Sequence, residues 1–445
     1  MRTTAFLSML ALSAAAPGQP LSLREAARLA LARHPSIEAG EARVKAAESR
    51  IDQARSGLRP KVNYSESYLR GNNPVYVFSS LLTQRQFGEQ NFQIGPLNRP
   101  DALNNFQSQL TVEQPIYDAG QVRQQTRSAQ LGRGLAQEDR RRTGMTLIAA
   151  VVRNYHGAVL AQESLNVARE AVRSAEADLA RAEAVRAAGM STDADVLSIR
   201  VHLAAMREQE IRRGYDLSVA RAALNEALGL PMDTPHELST PLTLSAASAG
   251  TLAEYEDKAA RERPEARQVR LAAELAETQS AAARSALKPQ VGFRGALEAD
   301  RQRFVTRGGG NWLIAATLRW NLFNGLGDKA RIEEASHALA GARAEQRQTE
   351  AGIRLQVRRA DADRKGAGER IAVADAAVAM AEESLRITKN RYENGLNTVT
   401  DLLRNETALL EARTRRLAAI HDSRVATAAL ELAAGTLSLD SEILQ

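Results

Sequence analysis

SGLRPKVNYSESY, residues 56–68, returns as SALKPQVGFRGAL at residues 285–297, an offset of 229. HPSIEA (34–39) and RPEARQ (263–268) keep that offset. Further along the spacing becomes 206, pairing QPIYDAG (114–120) with WNLFNGL (320–326) and AAGMSTDADVL (187–197) with ENGLNTVTDLL (393–403). Several blocks at two constant spacings mean one duplication, with 23 extra residues inserted in the first copy between Pro60 and Pro115. The chain is therefore one unit used twice.

Each copy reads as helix, two strands, long helix, sharp turn and shorter helix. The first repeat, 19–230, has a helix at 21–57, strands at about 60–70 and 107–116, a long helix at 118–188, a tip turn at 189–192 and a helix at 193–228. A linker at 231–251 follows. The second repeat, 252–435, has a helix at 252–286, strands at about 289–299 and 311–322, a long helix at 324–394, a tip turn at 395–397 and a helix at 398–434, before a tail at 436–445. Only isolated glycines interrupt the long helices, and Ser191, Thr192 or Asp193 can cap the helix after the first turn. A helix of about 70 residues spans roughly 105 Å, and the two shorter helices of one copy add up to the same length. That is the arithmetic of a tall wall.

The seam of this wall is spaced in sevens. Val151, Ala158, Leu165, Val172 and Leu179 recur with Ala161, Ala168, Ala175 and Ala182 beside them. Val357, Ile371, Val378, Leu385 and Tyr392 repeat the step, and Leu403, Leu410 and Leu417 answer from the returning helix. Such spacing marks an antiparallel coiled coil whose small residues let backbones approach. The composition agrees, because the apolar 44 % contains few aromatics (4 %) and is mostly Ala, Leu and Val, which suit long helices.

Thirteen of the 18 aromatic residues fall within 60–117 and 289–323, the non-helical stretches. Trp312, Ile314, Ala316, Leu318, Trp320 and Leu322 alternate along one face, as do Val62, Tyr64 and Tyr68 more weakly. Alternation over about ten residues with aromatics near the ends is the pattern of a lipid-facing barrel strand. At the N-terminus, Met1-Arg2 and the apolar run 5–16 read as a signal peptide, residues 1–18, which makes the protein an exported one. Four strands cannot close a barrel and an open edge is not tolerated in lipid, so the chain has to assemble: eight strands from two copies, twelve from three.

The Pro-led strands, the corners IYDAG and LFNGL and the two tip turns together resemble the TolC family of outer-membrane efflux ducts, over about residues 20–435. The resemblance implies a mainly α fold with transmembrane β: four strands per chain completing an oligomeric β-barrel, 12-stranded if trimeric, on a long antiparallel coiled-coil α-barrel. It implies a homotrimer in the outer membrane with a large periplasmic tunnel, whose partners are a periplasmic adaptor and an inner-membrane transporter. It carries over a gate or constriction at Asp401, Asp195, Tyr392, Asn397 and Arg404. Asp401, Tyr392 and Asp195 match acidic-ring and tie positions, whereas Arg404 replaces a second acid and Asn397 an arginine. Gly189, Met190, Ser191, Gly395, Leu396 and Asn397 match adaptor-contacting tips. Many relatives carry a lipid-anchored cysteine after the leader; this chain has no cysteine and resembles the unlipidated branch.

Other functions find no residues to perform them. The histidines at 34, 156, 202, 236, 337 and 421 form no i, i+4 pair, and the absence of cysteine removes thiolate chemistry. Gly308-Gly309-Gly310 is expected as an external loop between strands, not a phosphate cradle, and pairs such as Glu333-Glu334 and Glu382-Glu383 lie on solvated helix faces. No cofactor and no catalysis are expected. The net charge of +6 is interspersed along helices without interleaved aromatics, which argues against nucleic acid. The rival reading is a periplasmic coiled-coil adaptor or scaffold, which should lack the four aromatic-flanked strands. The insertion at 69–106, rich in Asn, Gln and Pro around an apolar VYVF–SLL core, is expected to fold over the barrel mouth.

Overall fold

The computed structural model describes residues 20–243, 250–305 and 308–445, and the expected leader at 1–18 lies outside them. In chain order the elements are β1 (Pro20–Leu21), α1 (Leu23–Arg33), α2 (Pro35–Arg55), β2 (Lys61–Gly71), α3 (Pro74–Thr83), α4 (Ile94–Asn98), β3 (Leu103–Tyr117), α5 (Gln121–Ala187) and α6 (Asp193–Leu228). Then come β4 (Glu237–Leu238), α7 (Leu252–Glu262), α8 (Pro264–Ser285), β5 (Gln290–Arg301), β6 (Gly309–Arg319), α9 (Gly327–Glu393) and α10 (Val399–Ala434). The fold is mainly helical, with four long strands and a duplicated helix–strand–strand–hairpin unit. No described helix is long and apolar enough to cross a membrane.

Two compact units divide the chain. The first comprises 1–43, 137–269 and 346–445; the second comprises 44–136 and 270–345. In the first, heptad positions of α5 are sealed: Val151 and Ala158 are fully buried, with Leu165, Ala168, Val172 and Ala175 nearly so. They pack with Leu224 and Leu228 of α6, with Leu23 and Ala27 of α1, and lower down with Leu203, Met206 and Leu410. Val357, Ile353, Tyr255, Ala259 and Leu430 form the corresponding core of the second copy. Tyr155 crosses between segments: its hydroxyl donates to Leu21 O (2.7 Å) and accepts from Thr240 N (2.8 Å).

Local chemistry departs from the sequence reading in four places. The helices expected at 21–57 and 252–286 are each broken, at His34–Pro35 and Arg263–Pro264, because proline starts a helix readily but cannot continue one. The segment 436–445 is no free tail: Leu437, Ile443 and Leu444 are buried in the core beside Leu23 and Val151. The linker contributes β4, which pairs in parallel with β1. Gly309 and Gly310 belong to β6, opposite Asp300 and Ala299, instead of forming a loop.

The second unit is an antiparallel sheet in the order β2-β3-β5-β6 with its flanking helices. The strand-to-helix corners explain the two corner motifs. At one, Asp118 accepts from the amides of Gly120 (2.9 Å) and Val122 (2.6 Å), which caps α5, while Ala119 and Gly120 both turn to positive φ. At the other, Asn324 accepts from Asp328 N, with Gly325 and Leu326 at positive φ. The 69–106 segment holds α3, α4 and a chain of edge-on ring contacts from Phe78 through Phe87 to the exposed Phe92, so it is a folded insert.

Candidate functional site

Strand register sorts the sheet into two faces of opposite chemistry. Tyr64, Leu110, Leu297 and Trp312 stand side by side across all four strands; the adjacent row, on the other face, is Ser65, Gln109, Glu298 and Asn311. The apolar face continues through Val62, Val112 and Ile314, and Tyr64, Trp312, Ile314 and Leu318 are all strongly exposed. The polar face continues through Ser67, Gln107 and Asp300. An apolar surface of this height, unpartnered in one chain, has lipid as its natural solvent, and the polar face has water. Among the described residues β2 pairs only with β3 and β6 only with β5, so both outer strands present open edges.

The insert stands on the polar face, at the strand ends farthest from the corners. Gln84 donates to Asn105 Oδ1 and to the carbonyl of Asn104 (both 2.9 Å), and Asn105 passes the chain on to Asp300 Oδ1 (2.7 Å). Arg85 donates to the Gly310 carbonyl at 2.8 Å. Gln84, Asn105 and Asp300 are at most 5 % exposed. A side chain at Gly309 would collide with the Thr83 carbonyl, which is the physical reason for glycine there.

At the far ends of the helical hairpins the two tips are built alike. Gly189 (φ 77°) and Gly395 (φ 72°) end α5 and α9 in the left-handed region, where a β-carbon is disfavoured. Thr192 and Thr398 then cap α6 and α10 in reciprocal boxes: each threonine hydroxyl donates to Asp195 or Asp401 at 2.8 Å, and each aspartate amide donates back. Met190 and Leu396 project into solvent.

The residues expected at the gate are here in distinct settings. The hydroxyl of Thr192 beside Asp195, and that of Thr398 beside Asp401, hold both carboxyls below their ordinary range. Tyr392 packs against Ala182, Val196, Ile199 and Val399, and no hydrogen bond joins it to Asp195 among the described residues. Asn397 accepts from Arg391 Nε at 3.0 Å, within its own tip. Arg404 lines an open groove of about 790 Å³ with Leu197, Val201, Leu403 and Thr407.

What joins the two hairpins is a polar layer absent from the sequence reading. Asp178 on α5 accepts from Lys389 on α9 at 2.8 Å. Glu406 on α10 accepts from Ser174 on α5 (3.0 Å) and faces His202 on α6 (3.2 Å), so four helices meet. Arg181–Glu393 and Arg413–Glu170 extend this ladder on either side. Burial pushes the Asp178 carboxyl up to about 6, and the neighbouring Glu406 adds to it. Burial acts on Glu406 too, but the hydrogen bonds from His202, Asp178 and Ser174 outweigh it and hold that carboxyl low. The available sequence signal was Asp178, directly before the seam residue Leu179.

A sheet with one lipid-facing side and one wetted side, in a chain whose long hairpins end in capped tips, defines a channel-forming protein of the outer membrane. The chain belongs to the outer membrane efflux protein family, which matches residues 26–230 and 256–436. Protein CyaE of Bordetella pertussis is 28 % identical over 438 residues, covering 94 % of this chain and 84 % of that protein. The alkaline protease secretion protein AprF of Pseudomonas aeruginosa is 25 % identical over 430 residues, covering 94 % and 85 %. The open-state MtrE outer membrane channel of Neisseria gonorrhoeae shares the fold with a TM-score of 0.76 at 20 % identity, covering 95 % of this chain and 91 % of that one. The protein is an outer-membrane exit duct of the TolC type with a large periplasmic part. Family and fold are those of passive channels working as oligomers with adaptor and pump partners, and the adaptor or scaffold alternative is not favoured.

Proposed function

We propose that three copies close a twelve-stranded barrel and that the resulting homotrimer conducts a polypeptide outward from an inner-membrane transporter, through a periplasmic adaptor seated on the hairpin tips. The observation that carries this reading is the two-faced sheet with two open edges: only further copies can supply its missing hydrogen bonds in lipid. Support for a polypeptide as cargo comes from the relative named for alkaline protease secretion, aligned over 94 % of the chain. Gly189, Met190, Ser191, Gly395, Leu396 and Asn397 are the proposed adaptor contacts, and the exposed Met190 and Leu396 suit an apolar seat. Asp401 and Asp195, both kept ionised by their caps, are the proposed charges of the constriction, with Tyr392, Asn397 and Arg404 around them.

Two measurements test the reading. The mature chain purified in detergent should migrate as a trimer and form stable channels in a planar bilayer; a water-soluble monomer that never inserts would refute the duct. Deleting the gene should abolish appearance of a secreted polypeptide in the medium while leaving small-molecule susceptibility near wild type. The reverse pattern would make the cargo small molecules.

A further inference from the structure

The insert between β2 and β3 presents apolar side chains in a place that should be wet. Val75, Phe92 and Ile94 are 77 %, 67 % and 79 % exposed, although the sheet face beneath them is lined by Ser, Gln, Asn, Glu and Asp. The insert is not a loose loop that drifted there. Phe78 and Phe87 pack edge-on within it with Phe92 leaning on Phe87 from outside, Tyr76 donates to the carbonyl of Leu69, and the Gln84–Asn105–Asp300 chain fastens it to the strand ends. α3 follows β2 yet lies against β3, β5 and β6, so it crosses most of the sheet on the polar side.

We infer that Val75, Phe92 and Ile94 meet the same residues of neighbouring copies over the channel axis, so that the inserts together plug the mouth of the barrel. This rests on the closure proposed above. Twelve strands about 4.8 Å apart and tilted about 40° make a ring of radius ~12 Å. A helix with its side chains is about 10–12 Å across, so an element standing on the inner face reaches the axis. The inserts cannot avoid one another at that radius, and the apolar side chains find there the partners that a single chain lacks. The occupant of this surface is thus a second and third copy of the chain, and the surface continues the same interface that closes the sheet.

The chain has no cysteine, so one introduced thiol reports alone. Full-length Ile94→Cys, oxidised mildly in native membranes, should give a disulfide-linked dimer band, whereas Val62→Cys on the lipid face should not. Phe92→Glu and Ile94→Glu together should raise single-channel conductance at least twofold, with trimer yield unchanged. A trimer in which the Ile94→Cys thiol stays unlinked, and whose charged variant conducts like wild type, overturns the plug and leaves the duct standing. A thiol there that remains unlinked but reacts with an impermeant maleimide on whole cells overturns it as well, by showing a surface open to partners outside. Loss of the trimer in every variant and in the parent chain overturns closure itself, and this inference with it.

Discussion

The two copies of the repeat agree in one half and differ in the other. α5 and α9 both have 67 residues, α6 and α10 both have 36, and each hairpin turns at a left-handed glycine followed by a Thr–Asp capping box. Between the strands they part: β5 and β6 are joined by a short connection, whereas β2 and β3 are separated by a folded insert. Helices that pack along their whole length constrain each other residue by residue, so a change in one must be answered in the other. A strand connection is held at only a few points, here Gln84 on Asn105 and Arg85 on Gly310, so its length is freer. Divergence has therefore collected where packing permits it.

The sharpest way to break the likeness of the hairpins is to attack the layer that joins them. Lys389→Met leaves Asp178 buried without its cation, and removing one partner of a buried pair costs about 3 kcal/mol. Thermal unfolding of the purified oligomer should register the loss, and Asp178→Asn in the same chain should restore most of it. That layer also carries a pH dependence of definite sign. The Asp178 carboxyl is raised to about 6, so its protonated form favours the closed contact. Lys389 on α9 and Glu406 on α10 face it, and Glu406 is in turn held by Ser174 and His202. Asp178 therefore favours the contact most below that range and less as pH rises through about 6, while Glu406, held low, gives up its own contribution only in more strongly acidic solution. Channel opening should become more frequent across that range, and Asp178→Asn should flatten the profile.

The tips test the likeness at lower cost. Gly189→Val and Gly395→Val should each destabilise by about 1–2 kcal/mol and abolish export while leaving protein in the outer membrane. Normal export in both would remove the tips from adaptor contact. Thr192→Ala and Thr398→Ala should cost about 1 kcal/mol each, and equally. Unequal effects in urea titration would mean that the two caps serve different ends. The smallest effect expected is at Asp401→Ala, a modest shift in cation preference measured by reversal potential. An unchanged value would take this acid out of the constriction.

The duplicated fold was legible because helices and strands announce themselves by period, and two constant offsets tied their copies together. Trp312, Ile314 and Leu318 identified a strand with one apolar face without any knowledge of its neighbours. Other features required tertiary contacts. The breaks at Pro35 and Pro264 were hidden by an apolar pattern that runs on across the new helix start. Leu437, Ile443 and Leu444 looked like a tail because a segment this short has no period of its own. The Asp178–Lys389 and Ser174–Glu406 links join residues more than 200 positions apart, which no local pattern encodes. Tyr392 and Asp195 drew notice by position in the tip motifs, while the polar links that join the hairpins are made by Lys389 and Glu393 on either side of Tyr392.

Equal helix lengths in the two copies make the hairpin a caliper. At 1.5 Å per residue, 67 residues measure about 100 Å, and a single codon lost from α5 alone would rotate every later side chain by about a quarter turn out of its seam. A deletion survives only if the facing strands of the coil lose the same number, in steps that restore the heptad. Drift in length is thereby ruled out over most of the gene, and natural variation in the size of such chains should concentrate between β2 and β3.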